Sequence, residues 1–238
     1  MLYDVEKINA FYDDARGQMV AKLLREDLKD IWHPTATSSN LAVGFPFYFF
    51  PNKNICPVLM PVEIGGMALA HKHAVYSAVI DSYNWPVESD SVDYLLIAHA
   101  LEFIEDKEAF LREVTRVLKS AGKIVILVPH RYGLWARSEK TPFGYGTSFS
   151  RGEMFGLLKN CGLQQEKCTR SLSLPPFADK LPDAVSNKLE KVGEHLLQLL
   201  GGVLIVEATK MVYAEPKISR VKIKAGFIKS QSAFSSSE

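Results

Sequence analysis

The chain has 238 residues, with 28 Lys and Arg against 27 Asp and Glu, and 47% of it is hydrophobic. That length and apolar share suit one α/β domain with small additions, while a formal charge of +1 leaves no overall field to draw the protein onto nucleic acid. Three cysteines, Cys56, Cys161 and Cys168, without a C-x-x-C pair, fit reduced thiols better than disulfides or a zinc site, so a cytoplasmic setting is expected.

The opening stretch MLYDVEKINAFYDD is acidic where a signal peptide is basic and then apolar. No run reaches the ~18 apolar residues of a membrane span. Ile8, Phe11, Tyr12, Ala15, Met19, Val20, Leu23, Leu24, Leu28 and Ile31 recur at three- and four-residue steps, which predicts a helical segment within residues 1–34, with Gly17 as a candidate break. SSNLAVGF, NICPVLMP and VYSAVID are short apolar runs and predict three buried strands.

VDYLLIAHAL predicts a further buried strand. Asp106 is then the expected N-cap of a helix that turns Phe110, Leu111, Val114, Val117 and Leu118 inward, with Ser120, Ala121 and Gly122 as its stop. KIVILVP follows at once as another strand, and strand, helix and strand with short connections make a parallel βαβ unit. HRYGLWARSEKTPFGYGTSF has no period and predicts a long loop of functional or mobile character. Ser150 and Glu153 have capping-box spacing and predict a helix over 151–160. Strands are expected near 163–172 and 203–213, around a helix near 183–200. Residues 216–238 carry Lys217, Arg220, Lys222, Lys224 and Lys229 against Glu238 and read as a basic, disordered, soluble tail.

Alternating strands and helices imply a doubly wound, mostly parallel sheet with helices on both faces. Ligands of such sheets bind outside the carboxyl ends of the strands, where the strand order switches. The loops after residues 45, 60, 81 and 98 are therefore the places to search.

Residues 81–129 also resemble a known family. Asp81-Ser82-Tyr83-Asn84-Trp85-Pro86, Ser91-Val92-Asp93, Leu95 to Phe103 with His99, Leu101 and Glu102, and Arg116-Val117-Leu118-Lys119-Ser120-Ala121-Gly122 follow the order and spacing of class I S-adenosylmethionine (SAM)-dependent methyltransferases of the type 11 domain. PHRYGLWARSEKTPFGYGTSFSRGEM and VLIVEATKMVY are similar to a branch of the same superfamily, so the resemblance extends over residues 35–215. It implies a seven-stranded sheet, SAM as cofactor and methyl transfer to an unknown acceptor, whether small molecule, protein or RNA. It also implies cofactor contacts at Gly44, Phe45, Met60, Asp81, Ser82, Ala98 and His99, with the adenine amino group donating to Asp81.

The family's first glycine-rich loop is altered here. Asn40-Leu41-Ala42-Val43-Gly44-Phe45-Pro46-Phe47 keeps one glycine and puts Pro46, which has no N–H, where a second would fall. Met60 stands where the ribose-binding acid is expected, with Glu63 three residues on. Each residue also has a plainer reading. Asp81 is equally read as the end of a strand and the start of a turn, a common place for Asp, and Gly44 as a site of close packing with no ligand. His99 is as compatible with a packed histidine as with a base or ligand contact, and Glu102 reads best as a helix-start acid. Tyr132, Trp135, Arg137 and Tyr145, with Phe143, are candidates to line an acceptor pocket or to stitch the loop to its own core. His71 and His73 are two histidines without a completing acid or cysteine, so no metal site is expected.

Three functions compete. A methyltransferase needs little beyond positioning, because methyl transfer is an in-line displacement. A non-catalytic protein that keeps the fold while its cofactor loop has decayed is the alternative. A dehydrogenase would need G-x-G-x-x-G, which is missing.

Overall fold

Among the described residues, seven strands form one sheet: β1 (Asn40–Gly44), β2 (Val58–Pro61), β3 (Ser77–Ile80), β4 (Val92–Ala98), β5 (Leu118–Pro129), β6 (Leu163–Ser171) and β7 (Val203–Lys210). Their spatial order is β3-β2-β1-β4-β5-β7-β6. All pairs from β3 through β5 are parallel, and β7 runs antiparallel to both β5 and β6. The expected doubly wound, mostly parallel α/β sheet is what the chain forms. The computed structural model describes residues 5–35, 37–50, 56–64, 76–173, 176 and 201–211. The expected helix near 183–200, the His71/His73 pair and the basic tail lie outside these residues.

The order reverses between β1 and β4, whose register sets Gly44 opposite Ala98. Such a reversal marks the crevice in which sheets of this kind take ligands, and here the chain leaving β1 stays in contact with the end of β4 through the Phe45 N–H and the Ala98 carbonyl. β1, β2 and β4 are buried almost throughout, the apolar run of a strand covered on both faces.

The N-terminal stripe folds as two helices, α1 (Val5–Asp13) and α2 (Ala15–Lys29). The break falls at Asp14 rather than Gly17. Gly17 is instead in the first turn of α2, where a Cβ would stand 1.9 Å from the Phe11 carbonyl oxygen; it is required by contact between the two helices. Val5, Ile8 and Tyr12 of α1 and Val20, Leu24 and Leu28 of α2 join the same buried cluster as the sheet.

Helix α3 (Lys107–Val117) begins as expected, with the Asp106 side chain accepting from the Ala109 N–H at 2.8 Å and Phe110, Leu111, Val114 and Val117 buried. It ends three residues before the expected stop. Leu118 is already extended, and the chain makes an irregular start to β5 across Ala121, which adopts φ +61°. Pairing of Leu118 with Val92 thus takes precedence over one more helical turn. Arg116 on α3 binds Glu113 at 2.8 Å and donates to the carbonyls of Trp85 and Val87 at 3.1 and 2.9 Å. The arginine of the family-like R-V-L-K run thereby ties the β3–β4 connection to α3. Helix α4 (Arg151–Asn160) carries both bonds of the expected capping box: Ser150 Oγ accepts from the Glu153 N–H, and the Glu153 carboxylate accepts from the Ser150 N–H.

Candidate functional site at the carboxyl ends of β1 to β4

Gly44 closes β1 with φ +92°, a conformation favoured by glycine. A Cβ there would stand 2.2 Å from the Ala98 carbonyl oxygen and 2.8 Å from Ala100 Cβ, so the glycine is demanded by the chain's own approach to β4. The next N–H, of Phe45, is donated to the Ala98 carbonyl at 2.7 Å. The loop then folds over itself, with Phe49 N–H donating to the Pro46 carbonyl at 2.8 Å.

This loop carries rings into the crevice. Phe45, Phe47 and Phe49 are all buried, and Phe45 meets Phe47 edge to face with centroids 5.0 Å apart. Tyr12 arrives from α1, stacked on Tyr48 at 4.9 Å and edge-on to Phe49 at 5.3 Å. The Tyr48 hydroxyl lies 2.9 Å from both Asn9 Oδ1 and Asp13 Oδ1 of α1, which share its single hydrogen. Apolar burial of several rings in one place is a large stabilising term, and here it fastens α1 across the ends of β1 and β4.

His99 follows β4 directly. It has φ +51°, an uncommon conformation for a residue with a side chain, and is only 2% exposed. Its Nε2 lies 2.7 Å from the Tyr12 hydroxyl and its Nδ1 3.2 Å from Glu102 Oε1. Phe49 and Phe143 flank the imidazole, with centroids 5.7 and 5.0 Å away. Glu102 is equally buried, and its second oxygen, Oε2, has no hydrogen-bond partner among the described residues. The sequence reading takes Glu102 for a helix-start acid, but α3 begins only at Lys107 and the carboxylate faces His99.

At the other end of the crevice, Met60 of β2 is fully buried, while Glu63, in a short 3-10 turn after β2, accepts a hydrogen bond from Ser82 Oγ. Ser82 is buried, and its carbonyl accepts from Trp85 Nε1 at 3.0 Å. Asp81 is exposed and uses Oδ1 to accept from the Tyr83 N–H at 2.7 Å, a side-chain turn of the kind Asp commonly makes. Ala98 is fully buried. Of the loop candidates, Trp135 is in the core, where its ring fills the side of Gly202 and meets Phe143 at 5.9 Å. Tyr132 and Arg137 are exposed and Tyr145 is half-buried. Among the described residues, no group of His, Cys, Asp and Glu has a metal-binding arrangement, and no helix is long and apolar enough to cross a membrane.

For a nucleoside cofactor the two ends of the crevice differ. Glu63, Ser82 and Asp81 present two carboxylates and a hydroxyl at the β2–β3 end, the kinds of group that can pair with hydroxyl and amino groups of a ligand. At the Gly44 end, the Phe45 N–H is already engaged and the buried rings of Phe45 and Phe47 stand beside it, so that end offers apolar rings rather than a free donor.

Comparison with known proteins agrees with the architecture. Residues 62–126 match a family model described as a methyltransferase domain. Over 110 residues, 44% of this chain and 54% of the relative, the sequence is 27% identical to an uncharacterized protein of Methanocaldococcus jannaschii. Over 66 residues, 28% of each chain, it is 35% identical to demethylmenaquinone methyltransferase of Staphylococcus haemolyticus. The matched part thus spans about half of the first relative and just over a quarter of the second. The crystal structure of a SAM-dependent methyltransferase from Thermotoga maritima superimposes with a TM-score of 0.63 at 19% identity, over 87% of this chain and 95% of that one. The fold is therefore the one seen in SAM-dependent methyltransferases, and residues 62–126 resemble a methyltransferase domain.

Proposed function

We propose that this protein is a methyltransferase that uses SAM. The observation that carries the reading is that the Glu63–Ser82 pair after β2 and β3 and the His99–Glu102 pair after β4 both stand at the carboxyl ends of the parallel strands, along one edge of the sheet. Glu63, Ser82 and Asp81 would hold the nucleoside, and the chain after Gly44 would border its amino-acid end. SAM, when bound, supplies an electrophilic methyl group. The protein's part is to exclude water and align an acceptor with that methyl, which is enough for a displacement whose barrier falls mainly through positioning. The match over residues 62–126 and the strand order support this assignment.

A second reading has its own observation. The Phe45 N–H is taken up by Ala98, and Phe45, Phe47 and Phe49 are buried, as suits a protein that keeps the fold as a binding scaffold. Calorimetric titration of the purified protein with SAM and with S-adenosylhomocysteine separates the two. Saturable binding at one site supports the enzyme; no heat with either compound supports the scaffold.

A further inference from the structure

We propose, resting on the methyltransferase reading, that Tyr12 occupies the seat of the methyl acceptor, that the acceptor is a phenolic hydroxyl, and that His99, oriented by Glu102, takes its proton. The tautomer follows from the partners. Glu102 Oε1, an acceptor, is 3.2 Å from Nδ1, so Nδ1 carries the hydrogen. Nε2 is left with a lone pair, and the Tyr12 O–H, 2.7 Å away, donates to it. Carboxylate, imidazole and hydroxyl in this sequence are the arrangement in which an imidazole removes a hydroxyl proton.

The surroundings fit an aryl hydroxyl in particular. Tyr48 lies nearly parallel to the Tyr12 ring, with 24° between planes, and Phe49 closes its edge at 87°. A flat ring held on face and edge with its oxygen on Nε2 is the shape this seat accepts. A free phenol has a pKa of about 10, so it needs a base to become a strong nucleophile near neutrality. The receiving groups and the occupant also come from different elements: His99, Tyr48 and Phe49 follow strands β4 and β1, whereas Tyr12 belongs to the nine-residue α1, broken from α2 at Asp14. Displacing α1 therefore vacates the seat without dismantling it. The left-handed backbone of His99 is strain of the sort that concentrates where a side chain must be aimed.

The step balances. As the acceptor oxygen forms its bond to the methyl carbon, its proton passes to His99 Nε2 and the electron pair of the donor's carbon–sulfur bond leaves with sulfur. The resulting imidazolium faces the Glu102 carboxylate. Glu102 acts through His99 and is a positioning residue.

The test uses phenol and toluene as probes on full-length Tyr12→Ala, read by the imidazole 15N and 1H shifts of His99. Phenol is expected to bind about tenfold more tightly than toluene, the worth of one good hydrogen bond, and to lose that preference when His99→Leu is added. Equal binding of the two probes, or none, overturns the seat. Tyr12→Leu, which leaves an apolar side chain on α1, serves the same comparison if Tyr12→Ala does not fold. With SAM present, Tyr12→Ala is expected to form anisole from phenol at least tenfold faster than wild type, and Tyr12→Ala/His99→Gln to form none; anisole formation unaffected by His99→Gln overturns the proton step. Glu102→Gln should move the His99 15N shifts away from the Nδ1–H tautomer, a readout that packing alone would not change. Phenol selectivity is measured without SAM, so failure of SAM to bind defeats the methyltransferase reading and is distinguishable from failure of the seat.

Discussion

The hydroxyl of Tyr12 and Nε2 of His99 stand 2.7 Å apart across 87 positions of sequence, both in the fully buried interior. This bond joins α1 to the end of β4, the strand at the centre of the sheet. Its removal should therefore be felt globally. Tyr12→Phe keeps the ring stack and leaves Nε2 without its donor, at a cost of about 1–3 kcal/mol. In a domain of this size each kcal/mol lowers Tm by roughly 2–4 °C. Thermal unfolding followed by circular dichroism checks this, and an unchanged Tm would mean that the bond does not form in solution.

Gly44→Ala should be much more harmful. The added methyl meets the Ala98 carbonyl at 2.2 Å in a backbone with φ +92°, where strain alone is worth about 1–3 kcal/mol. Expression should fall and Tm should drop without any cofactor present. A variant of normal Tm that fails only to bind SAM would show that the glycine is kept for a ligand instead.

How much of this was legible in the sequence depends on the distance over which each feature is decided. Asp106, Ser150 and Glu153 set helix starts through contacts three residues away, and the reading places them correctly. Strand positions follow from apolar runs of four to eight residues, and the order of family-like features from Asp81 to Gly122 points to the methyltransferase fold. The early end of α3 is different, because Leu118 is drawn into pairing with Val92, a partner that helical periodicity does not reveal. The same holds at the site. Nothing near His99 in sequence announces Tyr12, and Glu102 reads as a helix-start acid until the fold turns it onto the imidazole. Phe47, Tyr48 and Phe49 are visible as bulk, but their collection around α1 is a tertiary event.

Glu63 is the carboxylate that β2 delivers to the crevice, and Ser82 donates to it. If the pair holds the nucleoside, Glu63→Gln should weaken SAM binding by about 1–3 kcal/mol through loss of charge-assisted hydrogen bonding. Met60→Leu, an apolar exchange of similar volume at a fully buried position, should leave affinity nearly unchanged. Paired calorimetric titrations decide between them, and equal losses in both variants would move the nucleoside away from Glu63.

The three cysteines are all free, but they differ in reach. Burial pushes the Cys56 thiol up to about 12 and also raises that of Cys161, whereas Cys168 on β6 is half-buried. The thiolate is the reactive form, so iodoacetamide at pH 8 should label Cys168 first in the native protein and all three only after denaturation. Peptide mass spectrometry over time gives the order. Early labelling of Cys56 would show that the region of β2 opens readily.

His130, at the end of β5, sets a pH dependence whose sign is fixed by burial. Desolvation, aided by the positive charges of Arg170 and Arg151, lowers its pKa below the ordinary value, against the opposing bond to the Gly201 carbonyl at 2.8 Å. The folded protein therefore prefers the neutral ring, with Nδ1–H donated to Gly201. Below about pH 6.5, the pKa of a free histidine, the unfolded chain takes up a proton that the folded one resists, and stability falls until the folded pKa is reached. Above that pH the contribution is fully present. Tm should thus decline from pH 7 toward pH 5, and His130→Asn, whose amide can donate to the same carbonyl but does not titrate, should flatten that decline while lowering Tm at pH 7 only modestly. A variant whose Tm falls as steeply as wild type over this interval would assign the acid sensitivity to other groups.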